Sequence, residues 1–127
     1  MIQKKLKFGL LALSYLFLLA INANAHHSSA AYDRETVLKI SGVIQEFRWK
    51  NPHSHIKLEV NNEDKNNIIW NFEGGGATTM VREGWRRSML KIGDQVTIHY
   101  NPLRNGQPGG ILQGADLADG QFMGHNY

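Results

Sequence analysis

The sequence predicts an all-β fold with one short helix, a small five-stranded OB-fold-like Greek-key barrel in the order β-β-β-α-β-β. Three observations carry that expectation. Between Leu38 and Leu117, apolar residues recur at every second position in five separate runs, the period of a half-buried strand. The stretch Ala77 to Glu83 breaks that period after the third run and ends on Gly84, as a short helix does. The first run is the longest and carries Gly42 within it, which suits a strand that bends to serve two sheets.

Ahead of the barrel, residues 1–25 read as a signal peptide cleaved on export. Lys4, Lys5 and Lys7 make a basic start, Phe8 to Ile21 is apolar, and Ala23 and Ala25 are small residues that a signal peptidase accepts. The apolar run is shorter than the roughly 20 residues that span a bilayer. No cysteine follows that could take a lipid, so no permanent membrane anchor is expected. Cleavage after Ala25 would deliver residues 26–127 to the periplasm or the medium, a length that supports one domain with a modest core.

Removing Lys4, Lys5 and Lys7 from the 14 Lys and Arg residues leaves 11, against 11 Asp and Glu. The mature chain is therefore formally neutral. A nucleic-acid binder needs a cationic surplus to displace counterions, so nucleic acid is not an expected partner. The absence of cysteine excludes disulfides and thiolate ligands. A soft or borderline metal would have to be held by imidazole, from His26, His27, His53, His55, His99 or His125.

Residues 26–36 are small and polar without periodicity and should form an extended arm. The barrel domain is expected over 37–118. Its first strand alternates from Leu38 and Ile40 through Gly42 to Trp49, and Asn51-Pro52 ends it. In the second, His55, Lys57 and Glu59 face outward while Ile56, Leu58 and Val60 face inward. Asn61 to Asn67 is a polar hairpin loop. The third strand places Ile68, Trp70 and Phe72 in the core and ends at Gly74-Gly75-Gly76. The helix takes Thr78 or Thr79 as its cap, with Met80, Val81 and Trp85 toward the barrel. After a turn at Leu90 to Asp94, the fourth strand points Val96, Ile98 and Tyr100 inward, with Thr97 and His99 outward and His99 exposed. Asn101 to Gly110 is dense in turn formers. Ile111 to Leu117 is the fifth strand, and 119–127 is a tail that includes His125.

Five stretches occur in order: HHS at 26–28, GVIQEFRWKNPHS at 42–54, REGW at 82–85, LKIGDQVTI at 90–98 and NPLRNG at 101–106. Together they resemble an exported bacterial family catalogued as domain of unknown function 6152. The resemblance implies export and a single small β-domain and brings no activity with it. An aromatic residue usually follows HHS in that pattern, where this chain has Ser29. A Trp usually follows NPHS, where this chain has His55. The last motif usually begins HPLRDG, where this chain has Asn101 and Asn105.

The chemistry with the sharpest sequence signal is at the expected cut. An N-terminal His26 would offer its α-amine and ring Nδ1 as one chelate, similar to the histidine brace of copper oxygenases. Copper(II) leads the affinity order for nitrogen ligands and favours tetragonal sites, and zinc is the second choice. Further ligands would come from His27, or from His53 and His55, which at i and i+2 share the outward side of a strand. The arm can extend on the order of 35 Å, so it can fold back to them. Two histidines after a cut also suit a polar processing tail, and His53 after a proline suits a turn residue.

Arg48 and Trp49 offer a second possibility, an exposed ring beside a cation on a barrel face that binds a protein or a glycan of the cell envelope without metal. Trp70 and Trp85 are expected in the core and at the barrel end. The triple glycine lacks the Lys-Ser/Thr of a phosphate loop, and Arg82, Arg86 and Arg87 read as a solvated face. No nucleophile, base and acid fall in an arrangement that predicts catalysis. The readings therefore run from a copper-holding binding module, through a metal-free interaction domain, to a copper oxidase or oxygenase, for which no substrate surface is visible.

Overall fold

A computed structural model describes residues 30–62, 64 and 66–124. The signal-peptide reading, His26, His27 and His125 lie outside the described residues. The chain divides into two units, residues 1–31 and 32–127. Of the first, only Ala30 and Ala31 are described, and both are exposed.

The second unit is a closed barrel. Its strands are β1 (Leu38–Arg48), β2 (His55–Asn61), β3 (Asn67–Glu73), β4 (Gln95–Pro102), β5 (Gly109–Asp116) and β6 (Phe122–Gly124), with helix α1 (Ala77–Arg82) between β3 and β4. Strands β1, β2, β3, β5 and β4 pair in that order around the barrel and β4 returns to β1; β3 and β5 run parallel and every other pair is antiparallel. This is the expected five-stranded, Greek-key barrel with one short helix.

β1 closes the barrel because it serves two neighbours. Leu38 to Val43 pair with β4, and Val43 to Arg48 pair with β2. The exchange falls beside Gly42, where a Cβ would run into the Glu59 carbonyl oxygen. A register shift between Ile44 and Glu46 follows. That bulge changes which side chains face inward: Ile40 and Ile44 before it, Phe47 and Trp49 after it.

The core holds Ile44, Ile56, Leu58, Phe72, Val96, Ile98, Tyr100 and Ala115 from the strands, with Met80, Trp85, Leu90 and Leu117 alongside. Phe72 meets Tyr100 edge-on at 5.2 Å, and Trp70 packs on both rings. Ile68 and Val81 do not join this core and stay 39% and 48% exposed. Ile68 is the second residue of β3, ahead of the part of that strand that pairs with β5, and Val81 takes the outer side of α1.

Neither Thr78 nor Thr79 caps α1. Gly76 is the N-cap, without a side-chain bond. The β1–β2 connection supplies the acceptors instead: Ala77 N–H donates to Lys50 O at 3.1 Å and Thr78 N–H to Asn51 Oδ1 at 3.3 Å. A Cβ at Gly76 would sit 2.6 Å from Pro52 O, so the glycine run permits close docking of that connection. Gly84, at φ +93°, stops the helix as expected.

Residues 122–124 differ from the expected tail. They form β6, paired with Gly114 to Asp116 of β5. This strand also changes the setting of His99, which points out of the barrel yet is only 4% exposed.

Candidate functional site

The outward row Arg48–His55–Glu73 crosses β1, β2 and β3. The ladder registers set Arg48 against His55 and His55 against Glu73. His53 precedes β2, held in place by its buried neighbour Ser54, whose N–H donates to Gly75 O at 3.0 Å while its carbonyl accepts from Gly74 N–H at 2.8 Å. The two loops thus lock His53 beside the end of β3. There its Nδ1 lies 3.1 Å from Glu73 Oε1. In a neutral ring this contact places the proton on Nδ1 and leaves the Nε2 lone pair outward.

His55 is half-buried. Burial first, and then the Arg48 cation, lower its pKa below the ordinary 6.5, so a neutral imidazole is favoured at pH 7. Glu73 opposes that shift. Arg48 itself is tied along its own strand, Nε to Glu46 Oε1 at 2.7 Å, and Lys57 joins the same carboxylate at 2.8 Å. Those contacts, the Lys57 bond foremost, hold Glu46 below the usual carboxylate range.

Trp49 stands half-buried against the core, edge-on to Phe47 at 5.6 Å between centroids. Its ring is shared with the barrel interior, on the side opposite Arg48. The structure therefore brings His53 and His55 together around Glu73, and separates Arg48 from Trp49. Among the described residues, no group of three His, Cys, Asp or Glu side chains could hold a metal ion.

Glu73 and Tyr32 are the two participants that the sequence reading missed. The signal for Glu73 was its place at the end of β3, usable only with the β2–β3 register known. Tyr32 lies in the arm, bridged antiparallel to Leu103. Its phenol is raised by burial and then by the charge of Glu73, so the arm passes within electrostatic reach of the same carboxylate. The arm continues through Asp33 N–H to Pro102 O at 2.9 Å.

On the barrel surface near Met89 and Leu117, a cavity of about 360 Å³ has Lys91, Asp94 and Asp119 among its lining. It contains none of the histidines. Residues 15–113 match a family described only as a family of unknown function, DUF6152. No curated protein matches the chain.

Proposed function

The chain belongs to that family of unknown function, DUF6152, and from this premise we propose that it is a small exported binding module that holds copper, with zinc as the weaker competitor. The ligands in this reading are the His26 amine and ring, assisted by His27, together with His53 and His55. Its role is carriage or delivery of the ion in the periplasm, with an envelope protein as the receiving partner.

The observation that carries the reading is the 3.1 Å contact of His53 Nδ1 with Glu73. Metal-bound histidines are commonly oriented in this way, by a carboxylate on the nitrogen that does not bind the ion. His55 adds a second imidazole on the same outer face, and its depressed pKa favours the neutral form that a ligand requires. Two imidazoles and an orienting carboxylate are short of a complete site. In this reading the His26 amine and ring supply the rest.

The test uses the exported protein with its native terminus. Intact mass must first correspond to residues 26–127; a mass for 1–127 removes the premise. Cu(II) titration with EPR should then report a nitrogen-rich tetragonal signal, and one residue added before His26 should abolish tight binding. Equal, weak binding by the free and blocked forms defeats the proposal. Parallel Zn(II) competition checks the order of the two metals.

A further inference from the structure

Two turns flank the cavity of about 360 Å³ at Met89 and Leu117, a size that small-ligand pockets share. One turn, Lys91 to Asp94, leads into β4 and is closed by Asp94 N–H to Lys91 O at 3.0 Å. It is pinned to β1 in both directions, Gly93 N–H to Ile44 O at 2.8 Å and Ile44 N–H to Asp94 O at 2.9 Å. The other turn, Leu117 to Gln121, joins β5 to β6. Leu117 N–H donates to Gln121 O at 2.8 Å and Gly120 N–H to Leu117 O at 2.9 Å. The floor between the turns is apolar: Leu117 is 7% exposed and Met89 packs on the core.

The charged groups around this floor are held apart from one another. Asp94 Oδ2 accepts from Lys91 N–H at 2.9 Å, and Asp119 Oδ1 accepts from Gln121 N–H at 2.9 Å. Each carboxylate is thus oriented by its own turn and keeps a second oxygen for another donor. The Lys91 ammonium forms no ion pair with either acid, or with any other acid among the described residues. Two carboxylates and one ammonium therefore line one cavity without neutralising each other.

We propose that this cavity binds a small aliphatic ligand with two ammonium groups and one carboxylate, the chemistry of a free basic amino acid. Asp94 and Asp119 receive the ammonium groups, Lys91 receives the carboxylate, and the methylene stem lies on Met89 and Leu117. Charges then match group for group, and the apolar floor is covered by CH₂ groups instead of water. A dicarboxylate or a phosphate ester would set like charges against Asp94 and Asp119. An uncharged aliphatic ligand would cover the floor but desolvate three charged groups without giving them partners. The cavity contains none of the histidines, so it is tested independently of the copper reading.

The experiment titrates the exported protein with L-lysine in about 0.15 M salt and follows the Met89, Asp94 and Gln121 amides by NMR. Saturable shifts are expected at these amides, half-complete at about 1 mM or below. Asp94→Asn and Asp119→Asn keep an oxygen that accepts from the Lys91 and Gln121 amides, so both turns survive. Each should weaken L-lysine by about tenfold or more, the weight of a hydrogen bond to a charged group. Lys91→Met keeps the stem and loses the charge. It should weaken L-lysine by a similar factor and leave cadaverine, which has both ammonium groups and no carboxylate, unaffected. L-leucine, with one ammonium group fewer, should bind about tenfold more weakly than L-lysine. Shifts that do not saturate, or L-leucine bound as tightly as L-lysine, overturn the site. Full L-lysine affinity in either Asn variant overturns the pairing of both ammonium groups. Cadaverine and L-lysine bound equally by the unsubstituted protein overturn the amino-acid assignment.

Discussion

His99 Nε2 lies 2.9 Å from Asp116 Oδ2, joining the centre of β4 to the end of β5 on the outside of the barrel. The Phe122 ring of β6 covers the imidazole at 5.1 Å. It fits because residue 114 is glycine: a Cβ there would lie 2.8 Å from the Phe122 ring. An outward-facing histidine is thus buried by a strand of three residues.

Phe122→Ala should therefore destabilise the fold by about 1–2 kcal/mol, below the 3–5 typical of a fully buried Phe because this ring is half-exposed. Thermal unfolding measures the loss. The His99 ring resonances in NMR should shift toward those of an exposed imidazole. A stable variant with unchanged His99 signals would mean that β6 contributes no cover.

This pair also shows what the sequence could and could not convey. The alternation Val96, Ile98, Tyr100 correctly put His99 on the outer face, since side-chain direction is a local property of a strand. Its burial depends on β6, whose three residues are too few to display a period. The helix repeats the lesson. Its span and its stop at Gly84 were legible locally, whereas its start is satisfied by Lys50 and Asn51 from a distant loop, so the threonines looked like caps and were not. At the candidate site, His53 and His55 were found by residue type. Glu73 was not, because cross-strand register is set by the whole barrel.

Gly42→Ala should be among the most damaging single-methyl additions. The new Cβ would meet the Glu59 carbonyl oxygen and lie 2.8 Å from the Leu58 side chain. Backbone must move where β1 exchanges partners. A cost of about 3 kcal/mol is expected from overpacking, well above the ~1 kcal/mol gained from a stiffer unfolded chain. Chemical denaturation gives the difference directly; a neutral or stabilising result would contradict the strand exchange at this residue.

Stability should decline in two separate pH windows. His55 has a lowered pKa in the fold, so the unfolded chain takes up its proton first. Its contribution is complete above the ordinary 6.5 and is lost as pH falls through the folded value. Asp33 and Glu46, lowered from 3.8 and 4.5, lose theirs only in the more acidic range. Melting temperatures from pH 8 to pH 3, each pH taken as an approximate window edge, should show both declines. His55→Gln should remove the first and leave the second.

Glu73 provides the sharpest separation of stability from binding. The His53–Glu73 contact is on the surface, with side chains 54% and 37% exposed, so its loss should change stability by less than about 1 kcal/mol. Its effect on a metal bound at His53 should be larger, because an orienting carboxylate is worth about 10- to 100-fold in affinity. Glu73→Gln keeps an oxygen that can accept from Nδ1 and loses the charge; Glu73→Ala loses both. Copper affinity should therefore fall in the order unsubstituted, Gln, Ala, while the melting temperature of the metal-free protein barely moves. Competition titration with a chelator of known affinity distinguishes the steps. Equal affinity in all three would show that the carboxylate does not orient a ligand, and would return His53 to the role of a turn residue paired with a neighbouring acid.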